Sequence, residues 1–154
     1  MSAGSQWVQA AASSPPNEAG GAGQYGRLDE PVRHVVIVDD NEADLFFTSM
    51  LLKRHGFVHV HQFSSGQDAI DGYRKGVGCD LVLMDVRMPQ MDGFDTVEGM
   101  IKIPRWQRER PTVYMMSAAS NSNDLQKASE STFIQGFVRK PLSVEDLRWV
   151  SDDD

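Results

Sequence analysis

Only one cysteine, Cys79, occurs in the 154 residues, so no intrachain disulfide can close and a reducing, cytoplasmic setting is expected. Cys79 has no activating base beside it and reads as a packing thiol. Excess positive charge is missing too: 15 Lys and Arg stand against 22 Asp and Glu, a net charge of −7. Nucleic-acid recognition needs a basic footprint, so no nucleic-acid partner is expected. No apolar run approaches the length of a bilayer span, so no membrane role is expected either. The N-terminal stretch nearly lacks branched aliphatics and is rich in Gly, Ala, Ser and Pro. Such a segment cannot bury enough apolar surface to offset its ordering entropy. It also lacks the basic start and apolar core of a secretory signal. Residues 1–32 therefore read as a flexible tail, in which WVQAAA (Trp7–Ala12) forms no more than a transient helical turn or a sticky contact.

From Arg33 onward the pattern changes. HVVIVDD (34–40) is a β-branched run closing in carboxylates, and NEADLFFTSMLLKRHG (41–56) has helical length with Gly56 as its terminator. FVHVHQF (57–63) alternates as a half-exposed strand does. SSGQDAIDGYRKG (64–76) is a weaker helix, and DLVLMD (80–85) is apolar enough to be buried on both faces. FDTVEGMIKI (94–103) reads as a helix, PTVYMMSA (111–119) as a strand, and NSNDLQKASES (121–131) as a polar helix. FIQGFVRK (133–140) supplies a last strand. SVEDLRWV (143–150) gives a short helix with Ser143 and Asp146 at capping-box spacing. Strand and helix thus alternate five times. That rhythm predicts an α/β fold: a doubly wound parallel sheet of five strands with right-handed crossovers.

In such sheets, ligands bind beyond the carboxyl ends of the strands, where the strand order reverses. The first predicted strand ends in Asp39 and Asp40, the third in Asp85, the fourth in Ser117 and the fifth in Lys140-Pro141. Three carboxylates against one ammonium on one rim leave a surplus of negative charge, whose repulsion is unfavourable unless a cation joins them. Mg²⁺ takes oxygen ligands, keeps several waters and tolerates one or two carboxylates plus a phosphate oxygen. The chemistry these parts allow is attack of a carboxylate oxygen on phosphorus, giving an aspartyl phosphate. Lys140 and a metal would neutralise the transferring phosphoryl group, and Ser117 would donate to another of its oxygens. Asp85, held by the apolar run behind it, is the expected acceptor.

VDD (38–40), LMDVRMPQMDG (83–93), MSA (116–118) and FVRKP (137–141) together resemble a response-regulator receiver domain of two-component signalling, similar to the stand-alone chemotaxis receiver. The resemblance covers about residues 33–150, leaving 151–154 as an acidic end. It implies a flavodoxin-like receiver fold with strand order 2-1-3-4-5. It also implies that Asp85 takes a phosphoryl group from a histidine kinase or histidine phosphotransfer protein. By the same resemblance Asp40, Asp85 and the backbone carbonyl of Arg87 hold Mg²⁺, with Asp39 acting through a water. Lys140 pairs with Asp85 and later its phosphate, Ser117 swings toward the phosphoryl oxygens, and Phe137 turns inward behind it. The Lys140-Pro141 bond is expected to be cis. The protein is then no enzyme with a separate substrate but a switch that phosphorylates and dephosphorylates itself with Mg²⁺. As the chain stops soon after its last helix, a single-domain regulator is expected, working through protein contacts or as a phosphate sink or relay.

Departures from the family pattern matter. Phe137 lacks the phenol many receivers carry there. Arg87 and Ala119 occupy the two positions at which the family tunes autodephosphorylation. The polar helix has only Leu125 and Ala128 as apolar anchors, so it is expected to loosen or reshape on phosphorylation. The first helix has more apolar surface than one face needs. With Phe47 and Leu51 toward the sheet, Phe46 and Met50 pair elsewhere near Leu45 and become the docking candidates, because the family docks its histidine-bearing partner on this helix. His59 and His61 share a strand face without an apparent third ligand, so no zinc site is expected. Other classes fit less well. A receiver-like binding module that works without phosphorylation has no use for the complete acidic set. An aspartate-nucleophile phosphatase needs a second acid where Arg87 stands. A flavin carrier needs a Ser/Thr/Gly-rich loop where this chain has DDNEAD.

Overall fold

The computed structural model describes Trp7–Val8 and residues 32–119 and 121–148. The strands are β1 (Trp7–Val8), β2 (His34–Val38), β3 (His59–Phe63), β4 (Leu81–Asp85), β5 (Thr112–Ser117) and β6 (Gly136–Arg139). The helices are α1 (Glu42–Arg54), α2 (Gly66–Arg74), α3 (Gly93–Ile101), α4 (Pro104–Glu109) and α5 (Ser122–Ser129). All six strands form one sheet in the order β1-β6-β5-β4-β2-β3. Strands β2 to β6 are parallel. Counted alone, they stand in the order 2-1-3-4-5 of the flavodoxin-like receiver fold, as expected.

Burial follows position in the sheet. The inner strands β4 and β5 are buried along their whole length, whereas edge strand β3 is only partly covered. Alternate residues feed two cores. Val36, Val38, Val82 and Met84 point to the side covered by α2, α3 and α4, while Val35, Ile37, Leu81 and Leu83 meet Leu45 and Leu52 of α1 on the other. This two-sided burial is why those strands are continuous apolar runs rather than alternating ones.

Local signals set the helix ends. Asn41 accepts the Asp44 N–H at 3.0 Å and caps α1, and Asp92 and Asp95 form a reciprocal capping box on α3. Gly56 ends α1 as expected, with a left-handed φ of 98° and Phe57 N–H returning to the Leu52 carbonyl. Where α2 meets α3, a Cβ on Gly66 would stand 2.1 Å from Thr96 Oγ1, so only glycine permits this approach. Ser143 and Asp146 exchange the predicted capping-box bonds, at 2.9 and 3.2 Å.

Three expectations need correction. Trp7–Val8 is no helical turn: it pairs antiparallel with Val138 and Phe137 as a sixth strand. The rest of the predicted tail, 1–6 and 9–31, and the acidic end, 151–154, lie outside the described residues. A short helix, α4, follows α3; Pro104 opens it at a position that needs no N–H. Its Trp106 is buried edge-on against Tyr73, with ring centroids 5.9 Å apart. Finally, α1 turns a different face to the sheet: Leu45, Thr48, Ser49 and Leu52 are buried, Leu51 is half-buried, and Phe47 is 47% exposed. Ser49 fits inward because Gln62 on β3 donates to its hydroxyl at 3.0 Å, so polar residues took a face that hydrophobicity alone assigned to Phe47. Among the described residues no helix is long and apolar enough to cross a membrane.

Candidate functional site

Strand order reverses between β2 and β4, and the acidic residues stand at their carboxyl ends. Helix α1 draws its cap from Asn41, not from the preceding acids, so Asp40 is not consumed as a cap. Asp39 uses Oδ1 to accept the Asn41 N–H at 2.9 Å and keeps Oδ2 aimed inward. Asp85 ends β4, and the turn beyond it folds back closely. Gly93 N–H reaches the Val86 carbonyl at 2.9 Å, and a Cβ on Gly93 would lie 2.3 Å from the Asp85 carbonyl oxygen. Lys140 is tied to β5 through its N–H and the Ser117 carbonyl at 3.0 Å, and the Lys140-Pro141 bond is cis, as expected.

These elements bring the predicted acids together. Asp39, Asp40 and Asp85 place one oxygen each within 4.8 Å of one another, the one group of three potential ligands already gathered this closely among the described residues. Asp39 is fully buried, Asp85 nearly so, and Asp40 exposed. The Lys140 ammonium enters from the side, 2.8 Å from Asp39, 3.0 Å from Asp85 and 3.0 Å from Asp44. Asp44 was not anticipated; it lies in α1, far from Lys140 in sequence, and no local pattern pairs them. Asp39 Oδ2 is ion-paired but lacks an aligned hydrogen bond. One ammonium thus contacts three carboxylates, with Asp40 a fourth acid beside them, and a buried oxygen retains free lone pairs. Hard oxygen donors with surplus negative charge are what Mg²⁺ requires, so the residues present fit that ion.

The electrostatics register the same surplus. Burial, then repulsion from Asp39, lifts the Asp85 carboxyl to about 7, with Lys140 opposing only in part. Burial on its own would lower the Lys140 ammonium, but its close contacts with Asp39, Asp44 and Asp85 reverse the sign and raise it. The surrounding acids therefore favour the charged form of Lys140.

The two residues to which the resemblance assigns a switch, Ser117 and Phe137, occupy different surroundings. The Ser117 hydroxyl donates to the Ala119 carbonyl at 3.0 Å and accepts its N–H at 3.2 Å, so it is held by its own loop. Phe137 is 1% exposed and packs with Ala128 and Ile134. The inward place that the resemblance gave to a later state is already filled. The Arg87 guanidinium leaves the acids altogether and pairs with Asp124, a buried carboxylate in the first turn of α5. This ion pair links the loop after Asp85 to the polar helix. Removing the cation leaves Asp124 buried without its ion pair. Arg87→Ala is therefore expected to lower the local stability of α5 by about 1–2 kcal/mol, the exposed guanidinium being discounted for solvent screening. Amide exchange should accelerate on the order of tenfold in α5 and not in β4; equal exchange in both proteins would deny the link.

On α1, Phe46 and Met50 are exposed, by 63% and 42%, with Phe47 completing the patch. His59 and His61 do share a face, and a third histidine joins them: His34 on β2 stacks on His59 at 4.4 Å and on His61 at 5.3 Å. Strand pairing carries the signal, since His34 is in register with His59. Burial, followed by His34 and His59, holds His61 below the ordinary histidine value.

A family model described as the response regulator receiver domain matches residues 35–150. A probable methanogenesis regulatory protein, FilR2 of Methanothrix harundinacea, is 30% identical over 120 residues, covering 74% of this chain and 76% of that protein. Hybrid signal transduction histidine kinase B of Dictyostelium discoideum is 28% identical over 127 residues, 77% of this chain. The chain spans only 6% of that kinase, and 13% of a probable histidine kinase of rice that it also matches. In fold, the chain is similar to the receiver domain of the histidine kinase CKI1 from Arabidopsis thaliana complexed with Mg²⁺. That likeness has a TM-score of 0.65 at 21% identity and covers 78% of this chain and 88% of that one.

Proposed function

Since the chain belongs to the response-regulator receiver family, we propose that it is a phosphoryl-accepting switch with Asp85 as acceptor. The observation that carries this reading is the single ammonium, Lys140, set among buried Asp39 and Asp85 with Asp40 beside them. An Asp85 oxygen forms the new bond to phosphorus as the bond to the donor breaks, and the donor's nitrogen leaves with the electron pair and takes a proton. Lys140 bears on the negative oxygens in flight, and the buried run behind Asp85 holds its carboxylate in line. Asp40, Asp85 and the Arg87 carbonyl would hold Mg²⁺, with Asp39 through a water. Bound there, the ion supplies charge neutralisation for the phosphoryl group. Ser117 must exchange its Ala119 bonds to reach a phosphoryl oxygen.

The donor is a histidine kinase or histidine phosphotransfer protein, and output runs through protein contacts in a cytoplasmic setting or ends in a sink or relay. The protein phosphorylates and dephosphorylates itself and turns over no separate substrate. Incubation with Mg²⁺ and a small phosphodonor, followed by intact mass, tests this. One labile phosphoryl group per chain is expected to accumulate; no adduct and no donor hydrolysis would favour a binding module, and rapid hydrolysis of excess donor without an accumulated adduct a phosphatase.

Phe46 and Met50 are the docking residues, with Phe47 joining them. Phe46→Ala should slow transfer from a phosphohistidine protein on the order of tenfold. Phosphorylation by the small donor, which needs no docking, should be unchanged. Equal transfer rates would remove docking from this face.

A further inference from the structure

We propose that His34, His59 and His61 form a binding site for a late first-row divalent cation of the zinc class, at the amino end of the sheet, opposite the acidic rim. Parallel pairing sets His34 beside His59, and Val36 beside His61, so the three imidazoles emerge on one face of two adjacent strands. His34 Nδ1 and His61 Nε2 are already 3.1 Å apart. Two nitrogens bound to one such ion at roughly 2.0–2.1 Å each stand about 3 Å apart. In the present hydrogen bond one nitrogen carries the proton. Moving that proton to the far nitrogen of its own ring turns both lone pairs into the gap with no change in charge.

The surroundings favour a cation of this kind over Mg²⁺. The donors are nitrogens, which suit zinc, copper and nickel, whereas Mg²⁺ takes oxygen. Space for the His34 ring comes from Gly78, where a Cβ would lie 2.6 Å from the imidazole. The start of β2 is fixed independently, because the Arg33 and His34 N–H groups donate to Asp80 Oδ2 at 2.9 and 2.8 Å. His59 stacks flat on His34, with 13° between the planes, and its ring must turn to present a nitrogen. Its side chain is exposed, so the turn that brings the third nitrogen in gives up only this stack on His34. Water completes the coordination. An ion held here joins edge strand β3 to β2.

The test is titration of chelator-stripped full chain with Zn²⁺ alone in excess Mg²⁺, which keeps the acidic rim engaged. One zinc per chain is expected. His61→Gln and His34→Gln should each weaken binding on the order of tenfold or more, and His59→Gln by less. Asp40→Asn should leave zinc binding unchanged while it alters the rim. Phosphorylation of Asp85 by a small donor serves as the fold control, and its failure in every protein, wild type included, would count against the acceptor reading alone. Absence of stoichiometric zinc, an unchanged affinity in both the His34 and His61 variants, or loss in Asp40→Asn instead, each overturns the site.

Discussion

Asp85→Asn is expected to end phosphorylation by every donor and, in metal-free protein, to make the fold more stable. Loss of the nucleophile explains the first effect. The second follows from charge: Asp85 is buried beside Asp39, and that environment raises its carboxyl from 3.8 to about 7. A folded-state value above the unfolded one means that the folded protein binds the extra proton between them. The associated stability is therefore present below about pH 4 and is lost as pH rises through about 7. Asparagine keeps the shape and carries no charge, so the variant escapes that loss. Its advantage over wild type should be negligible near pH 4 and reach a few kcal/mol by pH 8. Saturating Mg²⁺ should shrink it, because the ion stabilises only the chain that retains the full acid set. Urea unfolding of both proteins at several pH values, with and without Mg²⁺, measures this. A wild type that is as stable as the variant at pH 8 without metal would mean that the acids do not repel one another as argued.

Lys140→Met reverses the sign. The ammonium contacts three carboxylates, two of them buried, and taking it away leaves those charges without a counterion. Breaking a buried pair in this way costs about 3 kcal/mol or more. Methionine retains the apolar stem, so the loss isolates the charge. The metal-free variant should unfold at lower urea, recover part of the difference in Mg²⁺, and phosphorylate far more slowly than wild type even when refolded by the ion. A variant within about 0.5 kcal/mol of wild type without metal would show that Lys140 is not the main counterion.

Most of the rim was legible in the sequence because each inner strand is an apolar run that stops at a polar residue. Register then carries Asp39, Asp40, Asp85, Ser117 and Lys140 to one edge without further information. What escaped were pairs that no local period encodes. Asp44 meets Lys140, and Arg87 meets Asp124, only through the packing of separate elements. His34 was overlooked as the first residue of a strand; its partners became visible once the β2–β3 register was known. The face of α1 was misjudged because Phe46, Phe47, Met50 and Leu51 outnumber what one face can bury, and Thr48 and Ser49 took inward positions. Helix α4 was missed because Pro104 reads equally as the end of one helix and the first residue of the next.

The central claim is that one side chain at this rim carries phosphate. Phosphorylating the protein in Mg²⁺ and reducing it with borohydride converts an acyl phosphate to an alcohol, marking the residue that bore it. Peptide mass spectrometry should find aspartate replaced by homoserine at Asp85 and nowhere else. Homoserine at Asp39 or Asp40, or an adduct that resists reduction and stays on a hydroxyl such as Ser117, would contradict the account.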